Sequence, residues 1–269
     1  MPAPRGKVKR DMRLREGSGG LYLRPVLGQR LVILSDVHLP ARPALVEEAL
    51  LAFLEQVPSL GDCLLINGDL FEFWFEYRRV IPRSGFHVAA ALGRLRRRVP
   101  IVMVGGNHDR WGETFWQQDL DIQFSSVPAR FMLGRRAVLA VHGDGIGEQH
   151  WSAGVLHAVT RHPAAIALFR ALHPDLGFWL VDRLGNYLGD STRSQRVLDR
   201  AAARQREYAE RLLASDPKLG LVVLGHTHRP ALSEPAPGQQ YVNPGAWLDH
   251  WRFAVATETG AELRQFDYG

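Results

Sequence analysis

Residues 31–40 read LVILSDVHLP, a run of Leu, Val and Ile that stops abruptly at Ser35-Asp36-Val37-His38. Such a run predicts a buried strand, which puts the polar residues at its carboxyl end. Ligand sites of α/β sheets lie there. In an extended chain Asp36 and His38 project to the same side, so a carboxylate oxygen and an imidazole nitrogen can share one divalent ion. Four further apolar runs end in similar residues: Asn67-Gly68-Asp69, Gly106-Asn107-His108-Asp109, His142-Gly143-Asp144 and Gly225-His226-Thr227-His228. A lone Asp-x-His carries little information. Its recurrence after several strands does.

The strand ends supply Asp36, His38, Asp69, Asn107, His142, His226 and His228, too many ligands for one four-coordinate ion. Two ions bridged by Asp69 account for all of them: Asp36, His38 and His228 on one, Asn107, His142 and His226 on the other. Two metals about 3.5–4 Å apart suit in-line displacement at phosphorus. Asn107 adds an oxygen without adding charge, which keeps the centre electrophilic. Oxygen and imidazole donors without thiolate point to manganese first, with iron or zinc as alternatives.

Outward from these runs, Pro43 to Val57 has the apolar spacing of a helix packed on a sheet, and Phe86 to Val99 predicts a second helix. Residues 129–141 predict a hairpin around Gly134-Arg135 that feeds His142. From Gly145 to Lys218 strands give way to helical periodicity, so 145–218 is expected to be a helical cap inserted into a core of 21–144 and 219–269. Residues 1–20, basic and ending in Gly-Ser-Gly-Gly, are expected to form a flexible tail.

The composition, 46% hydrophobic and 23% charged over 269 residues, is that of a soluble globular protein. No apolar run reaches the length of a membrane span and the N-terminus has no apolar signal core, so a cytoplasmic protein is expected. Cys63 is the single cysteine, which excludes disulfides within the chain. The formal charge of +5 and pI of about 9.7 suit anionic partners. Signatures of nucleic-acid binding are missing, and no obligate protein partner is expected.

The ordered set Asp-x-His, Gly-Asp, Gly-Asn-His-Asp, His-Gly-Asp and Gly-His-Thr-His, spread over residues 31–247, resembles the calcineurin-like metallophosphoesterases. That resemblance implies a four-layer α/β/β/α sandwich with a dinuclear centre that hydrolyses a phosphate ester or anhydride. It also implies that His108 contacts phosphate or the leaving group and that Asp109 orients His108. Asn67 to Trp74, HGDGIG at 142–147, LHPDLG at 172–177 and the helical insertion are similar to UDP-2,3-diacylglucosamine diphosphatases. Those are peripheral inner-membrane enzymes that release UMP and 2,3-diacylglucosamine 1-phosphate, so the resemblance implies a nucleotide-linked glycolipid substrate and contact with the cytoplasmic face of that membrane.

The cap fits such a substrate. The segment from Leu176 to Leu188 is apolar around more than a third of a helix and must bury that surface against protein, acyl chains or a bilayer. Arg193, Arg196, Arg200, Arg204 and Arg211 form a stripe that is either a solvated face or a grip on phosphate. Ser191, Arg193, Arg196 and Arg110 are the expected substrate contacts. One departure stands out: familiar proteobacterial diphosphatases carry Arg where this chain has His108. A general acid there suits an alkoxide leaving group, so a phosphodiesterase of broader specificity is the alternative.

Overall fold

The computed structural model describes residues 21–40, 44–112, 114–146, 160, 162–189 and 195–268; of 21–25 and 184–189 only the backbone is described. The expected basic tail therefore lies outside the described residues, as do Ser191 and Arg193.

Among the described residues, twelve strands and five α-helices follow in the order β1 (Leu21–Gly28), β2 (Arg30–Leu34), α1 (Leu45–Leu60), β3 (Cys63–Asn67), α2 (Phe86–Leu95), β4 (Ile101–Val104), β5 (Gln123–Ser125), β6 (Ala129–Leu133) and β7 (Arg136–Ala140). Then come α3 (Pro163–Ala171), α4 (Pro174–Gly189), α5 (Gln195–Ser215), β8 (Leu219–Val223), β9 (Ala231–Ala236), β10 (Gln239–Asn243), β11 (Arg252–Thr257) and β12 (Ala261–Gln265). The strands form two six-stranded sheets, ordered β12-β11-β2-β3-β4-β5 and β1-β6-β7-β8-β10-β9. Strands β2 to β5 run parallel, and so do β7, β8 and β10.

Period-two alternation sorts the side chains into layers. Leu31 and Ile33 of β2 face the second sheet, with Cys63, Leu65, Val102, Val138, Leu221 and Val223 in the same inter-sheet core. Val32 and Leu34 face the other way, onto Leu50, Phe53 and Leu92 of α1 and α2. The second sheet offers Leu139, Val222 and Tyr241 to Ala209 and Leu213 of α5. The order is thus α1/α2, sheet, sheet, α5, the four-layer α/β/β/α sandwich that the family resemblance implied. Phe53 is fully buried among Trp247, Phe253 and Phe266. Its truncation to Ala would cost about 3–5 kcal/mol.

The expected cap differs in extent. Helix α5 falls inside 145–218, yet its C-terminal half, through Gln205, Ala209 and Leu213, is an outer layer of the sandwich. Helical periodicity reports which face is apolar and says nothing of what covers it. The remaining cap helices, α3 and α4, sit on the aromatic segment 71–77. Phe169 meets Phe75 with ring centroids 4.6 Å apart, and Phe178 meets Phe73 at 5.3 Å. Phe71 and Trp74 of that segment turn the opposite way, into the core beside Trp116. Among the described residues, no single helix is long and apolar enough to cross a membrane.

Cys63 is fully buried, and burial together with the neighbouring Asp62 charge pushes its thiol far above the ordinary value. Maleimide at pH 8 is expected to leave the native protein unlabelled over an hour and to label it fully in denaturant. Rapid native labelling, read by mass spectrometry, would contradict the inter-sheet position.

Candidate metal centre

All the motif loops leave parallel strands at one edge of the two sheets: after β2, β3, β4, β7 and β8. The first loop lies beside the second, with backbone hydrogen bonds from Asp36 N to Gly68 O (3.1 Å) and from Val37 N and His38 N to Asp69 O (2.8 and 3.0 Å). Asp36 and His38 are not extended, contrary to the strand-like alternation expected. Both adopt left-handed backbone, with φ of 54° and 55°, while Val37 between them is buried in the core. Asp69, His226 and His228 do the same, at 52°, 67° and 57°. Each such residue costs roughly 1–2 kcal/mol, and strain of this kind gathers at functional sites. The ligands converge because the chain turns sharply at each of them.

Among the described residues, three groups of ligand atoms, each mutually within 4.8 Å, result: Asp36, His38 and His228; His38, Asp69 and His108; Asp69, His142 and His226. Asp69 is common to the last two. The glycines allow the close approach. A Cβ at Gly106 would collide with the Asp69 carboxylate, and one at Gly68 with the His142 ring.

The donor atoms fit a cation. His38 directs Nδ1 at Glu72 Oε2 (2.9 Å), leaving Nε2 to face His228 Nε2 at 3.3 Å. His142 directs Nδ1 at Asn67 O (2.9 Å), and its Nε2 faces Asp69 Oδ2 at 3.0 Å. Two lone pairs pointed at each other repel unless a proton or a metal lies between them. Asn107 Oδ1 is buried and has no hydrogen-bond partner.

Electrostatics keeps the carboxylates ionised. Burial alone would raise Asp36, but the hydrogen bond from His228 and the charges of His142 and His228 bring it down to about 2. Burial is likewise outweighed at Asp69, where His142 and His108 hold the carboxyl well below the usual range. Burial disfavours the charged His142 ring, yet Asp69 holds its pKa well above the ordinary value. A divalent ion bound between these donors would take the place of the His142 proton.

His108 and Asp109 do not form the expected pair. The His108 ring donates from Nδ1 to the Glu72 carbonyl oxygen (2.7 Å), and its backbone N–H donates to Asp69 Oδ1 (3.1 Å). Asp109, fully buried, accepts instead from the backbone N–H groups of Leu70 (2.7 Å), Gly106 (2.8 Å), Asp69 (3.3 Å) and Phe71 (3.4 Å). It staples the β3 loop to the β4 loop, and the Glu72 carbonyl orients the imidazole. Burial and the Asp69 charge push the Asp109 carboxyl up to about 6.

Arg110, expected to touch substrate, is buried and ion-paired with Asp144, joining the loops after β4 and β7. Arg196 is exposed in the first turn of α5. Glu72 was not foreseen. Its carboxylate is largely exposed, like that of an ordinary surface residue, and only the loop geometry brings it to His38. Carboxylate partners of this kind raise ligand basicity and fix the tautomer. Glu72→Ala is expected to weaken metal binding and lower turnover about 10-fold. Metal titration of the variant checks this, and unchanged affinity would contradict the role.

A pair of divalent ions held here would polarise a phosphoryl oxygen and acidify a bound water. Several known proteins are similar to this chain. The UDP-2,3-diacylglucosamine hydrolase of Xanthomonas axonopodis pv. citri is 29% identical over 250 residues, covering 87% of this chain and 98% of the relative. The protein of the same name from Porphyromonas gingivalis is 29% identical over 154 residues, and the match spans 54% of this chain and 58% of that relative's length. Among solved structures, the E. coli phosphoesterase Yfce aligns over 84% of this chain and 87% of its own, with 17% identity and a TM-score of 0.40. The sequence pattern of the family described as Calcineurin-like phosphoesterase matches residues 29–230, a stretch that begins just before β2 and takes in every loop of the centre. The chain belongs to the calcineurin-like phosphoesterases and is a metal-dependent phosphate hydrolase.

Proposed function

We propose that this hydrolase cleaves the pyrophosphate of UDP-2,3-diacylglucosamine, releasing UMP and 2,3-diacylglucosamine 1-phosphate at the cytoplasmic face of the inner membrane. The observation that carries the reading is the apolar hairpin α3/α4, seated on Phe73 and Phe75 a few residues from Asp69 and Glu72. Its outer surface leaves Leu168, Leu176 and Trp179 half or more exposed. A soluble substrate would not call for such a surface, whereas acyl chains and lipid do. The relatives' names point the same way.

In this reading Asp36, His38, Asp69 and His228 hold one ion, and Asp69, Asn107, His142 and His226 the other, with manganese the first choice. His108, its ring fixed by the Glu72 carbonyl, faces the leaving phosphate. In the same reading Arg196, in the first turn of α5, contacts the substrate's anionic groups together with Ser191 and Arg193, which precede that helix in the sequence. Purified protein loaded with Mn²⁺ should form UMP from the UDP-lipid in mixed micelles, read by chromatography. Turnover of bis(p-nitrophenyl) phosphate without any UMP would overturn the reading.

That second outcome corresponds to a phosphodiesterase of broader specificity, and His108 favours it. An imidazole with one nitrogen anchored and its charged form favoured by Asp69 and Glu72 against burial is suited to protonate an alkoxide. His108→Arg would then abolish cleavage of alkyl diesters while sparing anhydrides.

A further inference from the structure

We propose that Gln205 is a positioning residue for the metal pair, through which α5 holds two ligand-bearing loops in register. Gln205, Ala209 and Leu213 recur at four-residue steps and are the buried stripe of α5. A stripe facing a sheet calls for an apolar side chain, and a buried amide is costly unless both its ends are bonded. Both ends are. Nε2 donates to Gly143 O (3.1 Å), next to His142, and Oε1 accepts from Thr227 Oγ1 (3.4 Å), between His226 and His228. Gly143 has φ of 111°, and a Cβ there would come within 2.5 Å of Gln205 Nε2.

The network continues behind the loops. Asn243 Nδ2 donates to Thr227 Oγ1 and to Gly225 O, both at 3.2 Å, and Gly225 N donates to His142 O (2.8 Å). Helix α5 grips the second loop again less than two turns earlier, where Arg229 Nε donates to Asp199 Oδ1 (2.8 Å). The amide donates to the Gly143 carbonyl through one end and accepts from the Thr227 hydroxyl through the other. A carboxylate would repel the carbonyl, and a thioether would leave both partners unsatisfied.

The inference rests on the reading that these loops hold metal. Its test measures metal affinity per folded molecule, by titrating Mn²⁺ into chelator-stripped protein, for the wild type, Gln205→Met, Thr227→Val and Thr227→Ser. Gln205→Met and Thr227→Val are expected to weaken uptake about 10- to 100-fold. Activity at limiting Mn²⁺ should fall with it and recover at high Mn²⁺, with KM unchanged. Thr227→Ser keeps the hydroxyl and should behave as wild type. Should Gln205→Met fail to fold, the two Thr227 variants decide. A wild type that binds two ions while Gln205→Met and Thr227→Val bind equally tightly overturns the role of Gln205 alone. A wild type that binds none overturns the metal reading as well.

Discussion

Asp69→Ala is expected to lower phosphohydrolase kcat by about a thousandfold and to cut the metal content from two ions to one or fewer. Asp69 is 1% exposed and contributes to two of the three ligand groups found among the described residues, which places its carboxylate where it would bridge two ions. Removing it costs several kcal/mol of charge stabilisation in the transition state, and about 4 kcal/mol is about a thousandfold in rate. Elemental analysis and kcat on a simple phosphodiester, measured on the same preparation, test both halves of the expectation. Full activity with two ions bound would dismantle the bridged centre.

Asp109→Ala should act on the fold, with loss of activity as a consequence. Four buried backbone N–H groups converge on the Asp109 carboxylate, two of them at 2.7 and 2.8 Å. Stranding a buried donor costs about 1–3 kcal/mol, so the loss is about 4 kcal/mol or more. For a chain of this size that lowers Tm by roughly 10 °C. Asp109→Asn should be nearly as harmful, because its NH₂ would face donors. Thermal denaturation distinguishes this from the partnership with His108 implied by the family resemblance. An Asp109→Ala protein with wild-type Tm and a shifted pH profile would restore that partnership.

The strands were legible because they are short and buried on both faces, whereas the four-layer sandwich they build was implied by the family resemblance. Leu31 to Leu34, Cys63 to Ile66, Ile101 to Val104 and Leu221 to Val223 read as uninterrupted apolar runs and lie in strands. Each motif followed such a run, so strand order alone carried the chemistry-bearing residues to one edge. Backbone conformation was not legible. Asp36 and His38 meet through left-handed turns, which a pattern of alternate residues cannot distinguish from an extended strand.

Side-chain roles were less legible still. Asp109 beside His108 suggested a dyad, yet in the fold neighbours in sequence point to different partners. Arg110 was expected to contact substrate and is the buried mate of Asp144, 34 residues away. Glu72 and Gln205 were assigned no role from the sequence, and each reaches a loop that holds a candidate ligand.

The order of residue types along this chain was enough by itself to specify a layered α/β fold with carboxylates and imidazoles gathered at strand ends. Burial pattern and strand direction follow from hydrophobic periodicity, which is local. Which carboxylate faces which donor, and where α5 packs, was decided only by tertiary structure. Hydrogen bonds and packing contacts join residues tens to hundreds of positions apart, and their directions depend on backbone turns that local sequence does not encode.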